Sequence, residues 1–266
     1  MLIPTTIAKG AKRPQIGYKG GKTTSEMKII YRLLYNALNE LYANSPDLQH
    51  HRDVTLELLK EKAEGRDIPP TPDKDDRPIV VVAVGHSRKG DNGAESWDGS
   101  VSEHRYNLGI ATELCELLEE SALVKPVLLS NYGGKTYSQA IKWLADKVNS
   151  LGKVALVVEL HFNSSSSPQA NGHEFLFWHS SQKGAQFAQH FSQKMTDFFP
   201  TLKERGPKPI KSGENGSLFL RKLIPVCLIL EPFFGSNSQN WSIFRHKEGK
   251  HYLVRCYFEA IVESVL

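Results

Sequence analysis

The sequence predicts an α/β protein: a central mixed, mainly parallel sheet flanked by helices, with an N-terminal helical extension. Three observations predict it. Short continuous apolar runs, Ile79 to Val84, Val154 to Val158 and Val226 to Leu230, have the length and β-branched content of buried strands. Between them lie longer stretches with apolar residues at helical spacing, and that alternation is the signature of a sheet covered by helices. Ahead of both, a stiff charged segment rich in proline, Ile68 to Pro78, reads as a linker. It divides the chain into residues 1–77, a basic arm, helical extension and linker, and residues 78–266, the main domain.

Residues 1 to 25 hold Lys9, Lys12, Arg13, Lys19 and Lys22 and no acid, with weak apolar periodicity. An extended arm is expected. Gly21-Lys22-Thr23 resembles the end of a phosphate loop, but Ile16 stands where that motif needs glycine, and no strand precedes it. Met27, Ile30, Tyr31, Leu34, Leu38 and Leu41 predict a helix that Pro46 and Asp47 end. A second helix is expected over Val54 to Ala63. His50 and His51, between them, read as a solvated turn.

In the main domain, the strand Ile79 to Val84 leads into a glycine-rich loop holding His86. A helix follows from about Val101 to Glu120, then a short strand at Val127 to Leu129. Tyr137 to Val148 is helical, with Ala140, Ile141, Leu144 and Val148 on one side. The strand from Val154 runs to His161, and a strand at Glu174 to Trp178 follows. Gln182 to Phe198 is helical through Phe187, Phe191 and Met195. Leu218 to Leu220 reads as a short strand, Val226 to Leu230 as a buried one, and Lys250 to Val265 as the last helix.

The 266 residues are 40% hydrophobic and 23% charged, enough to bury a sizeable core. A net charge of +4 permits a polyanionic partner without arguing for one. No apolar run is long enough to cross a bilayer. Met1 to Thr6 carries no basic segment, apolar core and cleavage site of the secretory kind. Cys115, Cys227 and Cys256 are far apart among apolar residues and read as buried reduced thiols, so no thiolate metal site is expected. No Gly-x-Ser-x-Gly elbow supports a serine nucleophile.

Four residues stand out as candidate chemistry. His86, in Gly85-His86-Ser87, directly follows a buried strand with room to face a ligand; taken alone, a surface-loop histidine is the better reading. Glu103 is in phase with the apolar stripe Tyr106, Ile110, Leu114 and Leu117, and a carboxylate there needs a partner or a metal. Ser100-Val101-Ser102-Glu103 also fits a capping box, and pattern alone weighs the two readings evenly. His161 ends the central strand, at the sheet edge where open α/β folds place their sites; a satisfied core histidine is the plain alternative. Glu231 ends the run Cys227 to Leu230 and could equally serve a salt bridge. Two histidines and a carboxylate form a common catalytic zinc shell with one position left open.

Together these segments resemble the zinc-dependent N-acetylmuramoyl-L-alanine amidase family of the Amidase_3 type. The likeness rests on Val80 to His86 with Gly90 and Gly93-Ala94 after it, and on Glu103-His104-Arg105-Tyr106-Asn107-Leu108. It continues in His161-Phe162-Asn163 with Asn171-Gly172-His173-Glu174-Phe175. It ends in Arg205-Gly206, Leu220-Arg221, Pro225 and Glu231 to Asn237. Ala83-Val84 replaces the family's Asp-Pro, and Pro225 stands one residue further from Glu231 than usual.

The resemblance implies zinc held by His86, Glu103 and His161, with Glu231 as the catalytic carboxylate. His104, next to Glu103, reads as a surface residue. It implies peptidoglycan as partner and hydrolysis of the amide between N-acetylmuramic acid and L-alanine. The missing export signal adds the expectation of an endolysin-like lysis enzyme, cytoplasmic at synthesis and acting on the cell wall after release. A zinc carboxypeptidase or aminopeptidase, or a wall-binding module without activity, are the alternatives. Nucleic acid is not expected as a partner, since Tyr18 alone interrupts the basic arm. Stable membrane insertion is not expected either, and the oligomeric state stays open.

Overall fold

Val80 to Val84 are all buried, as a strand covered on both faces requires. The computed structural model describes residues 76–266. The helices expected at Ser25 to Ala43 and Val54 to Ala63, the basic arm and most of the linker lie outside the described residues. The elements are β1 (Ile79–Val84), α1 (Glu103–Ser121), β2 (Lys125–Leu129), α2 (Tyr137–Ser150), β3 (Val154–Leu160), β4 (His173–Trp178), α3 (Gln182–Phe198), β5 (Glu204–Ile210), α4 (Ser217–Lys222), β6 (Cys227–Glu231), α5 (Ser238–Phe244) and α6 (Lys247–Val265).

The six strands lie in the order β2-β1-β3-β6-β4-β5. Every pairing is parallel except β4 with β6. The sheet is therefore mixed and mainly parallel, as the sequence predicts. β1, β3 and β6 all end at one edge, and the antiparallel β4 begins there, which gathers chain from four strands at a single rim.

Period-two alternation divides the core between the two faces. Val80, Val82, Val84, Leu156, Val158, Leu160, Leu228 and Leu230 pack under α1, α3 and α6. Val81, Ala83, Val157, Cys227 and Ile229 pack under α2 and α4. The helices meet these faces with the stripes read from sequence, such as Ala140, Ile141, Leu144 and Val148 of α2. α2 is opened by a capping box, in which Thr136 accepts from the Gln139 N–H and the Gln139 side chain accepts from the Thr136 N–H. All three cysteines are free; Cys227 and Cys256 are buried and Cys115 is half-buried.

Two elements differ from the sequence reading. Leu218 to Leu220 belongs to helix α4, not to a strand: Gly216, at φ +80°, turns the chain into one short helix that buries Phe219 and Leu220. Three apolar residues in a row fit either element. The strand is instead β5, at the edge beside β4. Its Pro207 and Pro209 are two apart, so both missing N–H groups face the same way, which only an edge strand tolerates.

His173 opens β4 with its side chain wholly enclosed, and neither ring nitrogen has a hydrogen-bond partner among the described residues. Burial pushes its pKa down to about 4. The unfolded chain binds this proton below about pH 6.5, whereas the folded chain does not until about pH 4. Stability from this group is full above pH 6.5 and is lost as pH falls toward 4, by about 3 kcal/mol in all. His173→Leu should remove that part of the acid destabilisation. Urea titrations of both proteins at pH 7 and pH 4.5 check it, and an equal loss in the two would refute the assignment.

Candidate metal centre

β1 delivers the first imidazole. Its Gly85 N–H donates to the Leu160 carbonyl (3.0 Å), tying the loop to the end of β3. A Cβ on Gly85 would fall 2.2 Å from the His161 ring, so only glycine lets that imidazole lie across the loop. His86 itself has φ +57°, a left-handed conformation uncommon outside glycine and characteristic of functional loops. Its Nδ1 lies 2.9 Å from Asp91 Oδ1, and Asp91 also accepts from Arg88 Nη2 (3.3 Å). The other ring nitrogen, Nε2, lies 3.3 Å from Glu103 Oε2.

Glu103 is the first residue of α1 and is only 4% exposed. Two backbone N–H groups hold its carboxylate, Ala94 to Oε2 (3.1 Å) and Phe162 to Oε1 (3.3 Å). The capping box is not formed: Ser102 is the N-cap and makes no side-chain cap bond, while the Ser100 hydroxyl donates to Asp98 (2.6 Å). The reason is register. Glu103 opens the helix instead of closing its first turn, so its side chain projects forward to the histidines. Burial would raise its pKa, but hydrogen bonds from His161 and His86 outweigh that and hold it well below the usual carboxylate range.

His161 follows β3, anchored by its N–H to the Leu230 carbonyl (3.1 Å). Its Nδ1 lies 2.8 Å from Glu103 Oε1 and its Nε2 lies 3.2 Å from Glu159 Oε2. The two imidazoles are edge to face, with centroids 5.1 Å apart. One ligand atom from each of His86, Glu103 and His161 lies within 4.8 Å of the others. Two imidazole nitrogens and one carboxylate, gathered on a fixed frame, are a donor set that fits a divalent metal once the rings give up a proton. His104, expected at the surface, is half-buried, its Nδ1 3.2 Å from the Gly85 carbonyl under the same loop.

Glu231 ends β6 beside this cluster and shares a cavity of about 440 Å³ with His86, His161, Glu159, Tyr132 and Leu218. Its Oε2 is enclosed and has no partner among the described residues. Burial pushes its carboxyl up to about 8; His161 works against that shift, and Glu103 and Glu174 reinforce it. Glu174, opposite Glu231 across the β4–β6 pairing, is held by Arg205 Nε (2.8 Å), Lys208 Nζ (2.9 Å) and Asn163 Nδ2 (3.0 Å). Three donors fix Glu174 while, among the described residues, none fixes Glu231, so the two neighbouring carboxyls have opposite characters.

The sequence reading did not single out Glu159, which bonds His161, or Asp91, which bonds His86. For Glu159 a signal existed. It interrupts an apolar strand two residues before His161, and residues two apart on a strand share a face.

The family model of the N-acetylmuramoyl-L-alanine amidases, Amidase_3, matches residues 80–263. The chain belongs to this family. The amidase match covers every residue of the site just described. No curated protein matches the chain. Among solved structures, it is similar to the N-acetylmuramoyl-L-alanine amidase from Clostridium difficile 630, at 18% identity over 71% of this chain and 96% of that one, with TM-score 0.61. It is similar to the N-acetylmuramoyl-L-alanine amidase AmiC2 of Nostoc punctiforme, at 21% identity over 70% and 96%, with TM-score 0.58. The catalytic domain of the CD27L endolysin targeting Clostridia Difficile is 25% identical over 71% and 99%, with TM-score 0.58. The amidase is thus an enzyme of the class that hydrolyses peptidoglycan amides, with a cluster able to hold a metal. No described helix of the amidase is long and apolar enough to cross a membrane.

Proposed function

We propose that this amidase uses zinc, bound by His86, Glu103 and His161, and that Glu231 is its catalytic carboxylate. Its reaction is hydrolysis of the amide between N-acetylmuramic acid and L-alanine, in the service of cell lysis. The observation that carries the reading is the convergence of the three donors beside a cavity that also holds the unpartnered oxygen of Glu231. The donor set is that of catalytic zinc sites, which keep one position open. Similarity to an endolysin catalytic domain supports the lytic role.

When bound, zinc supplies Lewis acidity, polarising the scissile carbonyl and making water a nucleophile near neutral pH. The protein does the rest. Glu231, whose Oε2 has no hydrogen-bond partner among the described residues, takes the proton from the attacking water and returns it to the leaving amine. A carboxyl lifted toward neutrality by burial suits both transfers, and a nearby cation would bring it lower. Arg205 and Lys208 pair with Glu174, holding that neighbouring carboxylate ionised and fixed in place.

Digestion of purified cell walls followed by mass analysis tests the bond. An amidase releases whole stem peptides beginning with L-alanine and leaves glycan strands with free lactyl carboxyl groups. Stem peptides trimmed but still attached to glycan would instead identify a peptidase. Intact walls with no loss of turbidity would identify a binding module.

A further inference from the structure

Glu159 is a glutamate inside a strand whose other residues build the core. It is 5% exposed, with Val158 and Leu160 beside it and Val157 two positions back on its own face. A carboxylate enclosed there is strongly destabilising unless both oxygens are engaged. Both are. Tyr132 donates its hydroxyl to Oε1 (2.9 Å), and Oε2 lies 3.2 Å from His161 Nε2. Tyr132 is itself fixed, since its N–H donates to the carbonyl of Ser87 (3.0 Å), the residue after His86. A chain of contacts thus runs from the His86 loop through Tyr132 and Glu159 to His161.

The two histidines are supported in mirror fashion. His86 has Asp91 on Nδ1 and turns Nε2 to Glu103; His161 has Glu159 on Nε2 and turns Nδ1 to Glu103. A carboxylate on one ring nitrogen fixes the tautomer and leaves the lone pair on the other. We propose that Glu159 is the positioning residue for His161: it accepts the Nε2 proton, locks the ring with Nδ1 toward the metal, and so sets the affinity of the centre. This rests on His161 being a metal ligand. Recognition of a substrate cation by Glu159 is the weaker alternative, because neither of its oxygens is free.

The test uses the full chain and zinc itself. Zinc dissociation constants from chelator competition are compared for wild type, Glu159→Gln and Glu159→Leu, with thermal unfolding of each metal-free protein as the folding control. Glu159→Leu should weaken zinc by about 10- to 100-fold. Glu159→Gln keeps an acceptor and should recover part of that loss. Tyr132→Phe, which frees one oxygen without removing the carboxylate, should weaken zinc less than Glu159→Leu and serves if the latter does not fold. In zinc-loaded wild type, long-range proton–nitrogen NMR should show His161 protonated on Nε2 and metallated on Nδ1. Zinc affinity within twofold of wild type in a folded Glu159→Leu, or metal on Nε2, would overturn the positioning role alone. A wild-type chain that binds no zinc would overturn the proposed function along with it.

Discussion

Glu231→Gln should abolish wall hydrolysis, keep zinc bound, and make the metal-free protein more stable at neutral pH. The first effect follows from losing the proton carrier, which is typically worth about 10²- to 10⁴-fold in rate. The second follows from Glu231 lying outside the three-donor cluster. The third follows from burial. The folded carboxyl is pushed up to about 8, above its ordinary 4.5. Stability from this group is fully present below pH 4.5, where both states are protonated, and is lost as pH rises through 8. At pH 7 the enclosed carboxylate therefore destabilises the metal-free fold by an amount on the order of 3 kcal/mol. Glutamine fills the same space without that charge. Urea unfolding in a chelator should show the variant ahead at pH 7 and level with wild type at pH 4. Walls lysed at the normal rate by a folded, zinc-loaded Glu231→Gln would remove Glu231 from the mechanism. A stability gain equal at both pH values would instead refute the burial argument.

That a single substitution should lower activity and raise stability shows why the site was readable from sequence at all. Residues that a core would not choose mark it: Glu103 on an apolar helix stripe, Glu231 at the end of a buried strand, His161 after another. β1, and α3 over Gln182–Phe198, have the bounds that their apolar spacing predicts, and β3 begins at the predicted Val154, because their buried faces are long enough to show a period. The failures share the opposite cause. α4 is six residues long and α5 seven, too short for a helical stripe to distinguish itself. β5, with two prolines and three charges, has no alternation, because an edge strand needs none. Glu159 was hidden by its neighbours: a run scored as apolar conceals the one polar residue whose strand phase matches that of His161. Nor does sequence show which nitrogen each histidine presents, since that depends on Asp91 and Glu159 arriving from different parts of the fold.

Substitutions at the ligands should separate metal binding from folding. His161→Ala and Glu103→Ala should both lose zinc by more than the roughly 100-fold expected for an outer partner. In wild type, excess zinc should raise stability through mass action, by about 4 kcal/mol at a thousandfold excess over the dissociation constant. Neither variant should show that gain. The metal-free proteins should nevertheless differ. Glu103 satisfies the backbone N–H groups of Ala94 and Phe162 as well as facing two imidazoles. Its removal leaves the buried Phe162 N–H and the partly buried Ala94 N–H without an acceptor, the first costing about 1–3 kcal/mol and the second less. His161 makes no such backbone bonds with its side chain, and its loss opens space over Gly85, where water can reach Glu103. Glu103→Ala should therefore unfold at lower urea than His161→Ala when both are stripped of metal, and Glu103→Gln, which keeps an acceptor oxygen, should recover part of that difference without recovering zinc. Equal metal-free stabilities of the two alanine variants would refute the contribution assigned to the Ala94 and Phe162 N–H groups. Full zinc affinity in either would exclude it from the ligand set.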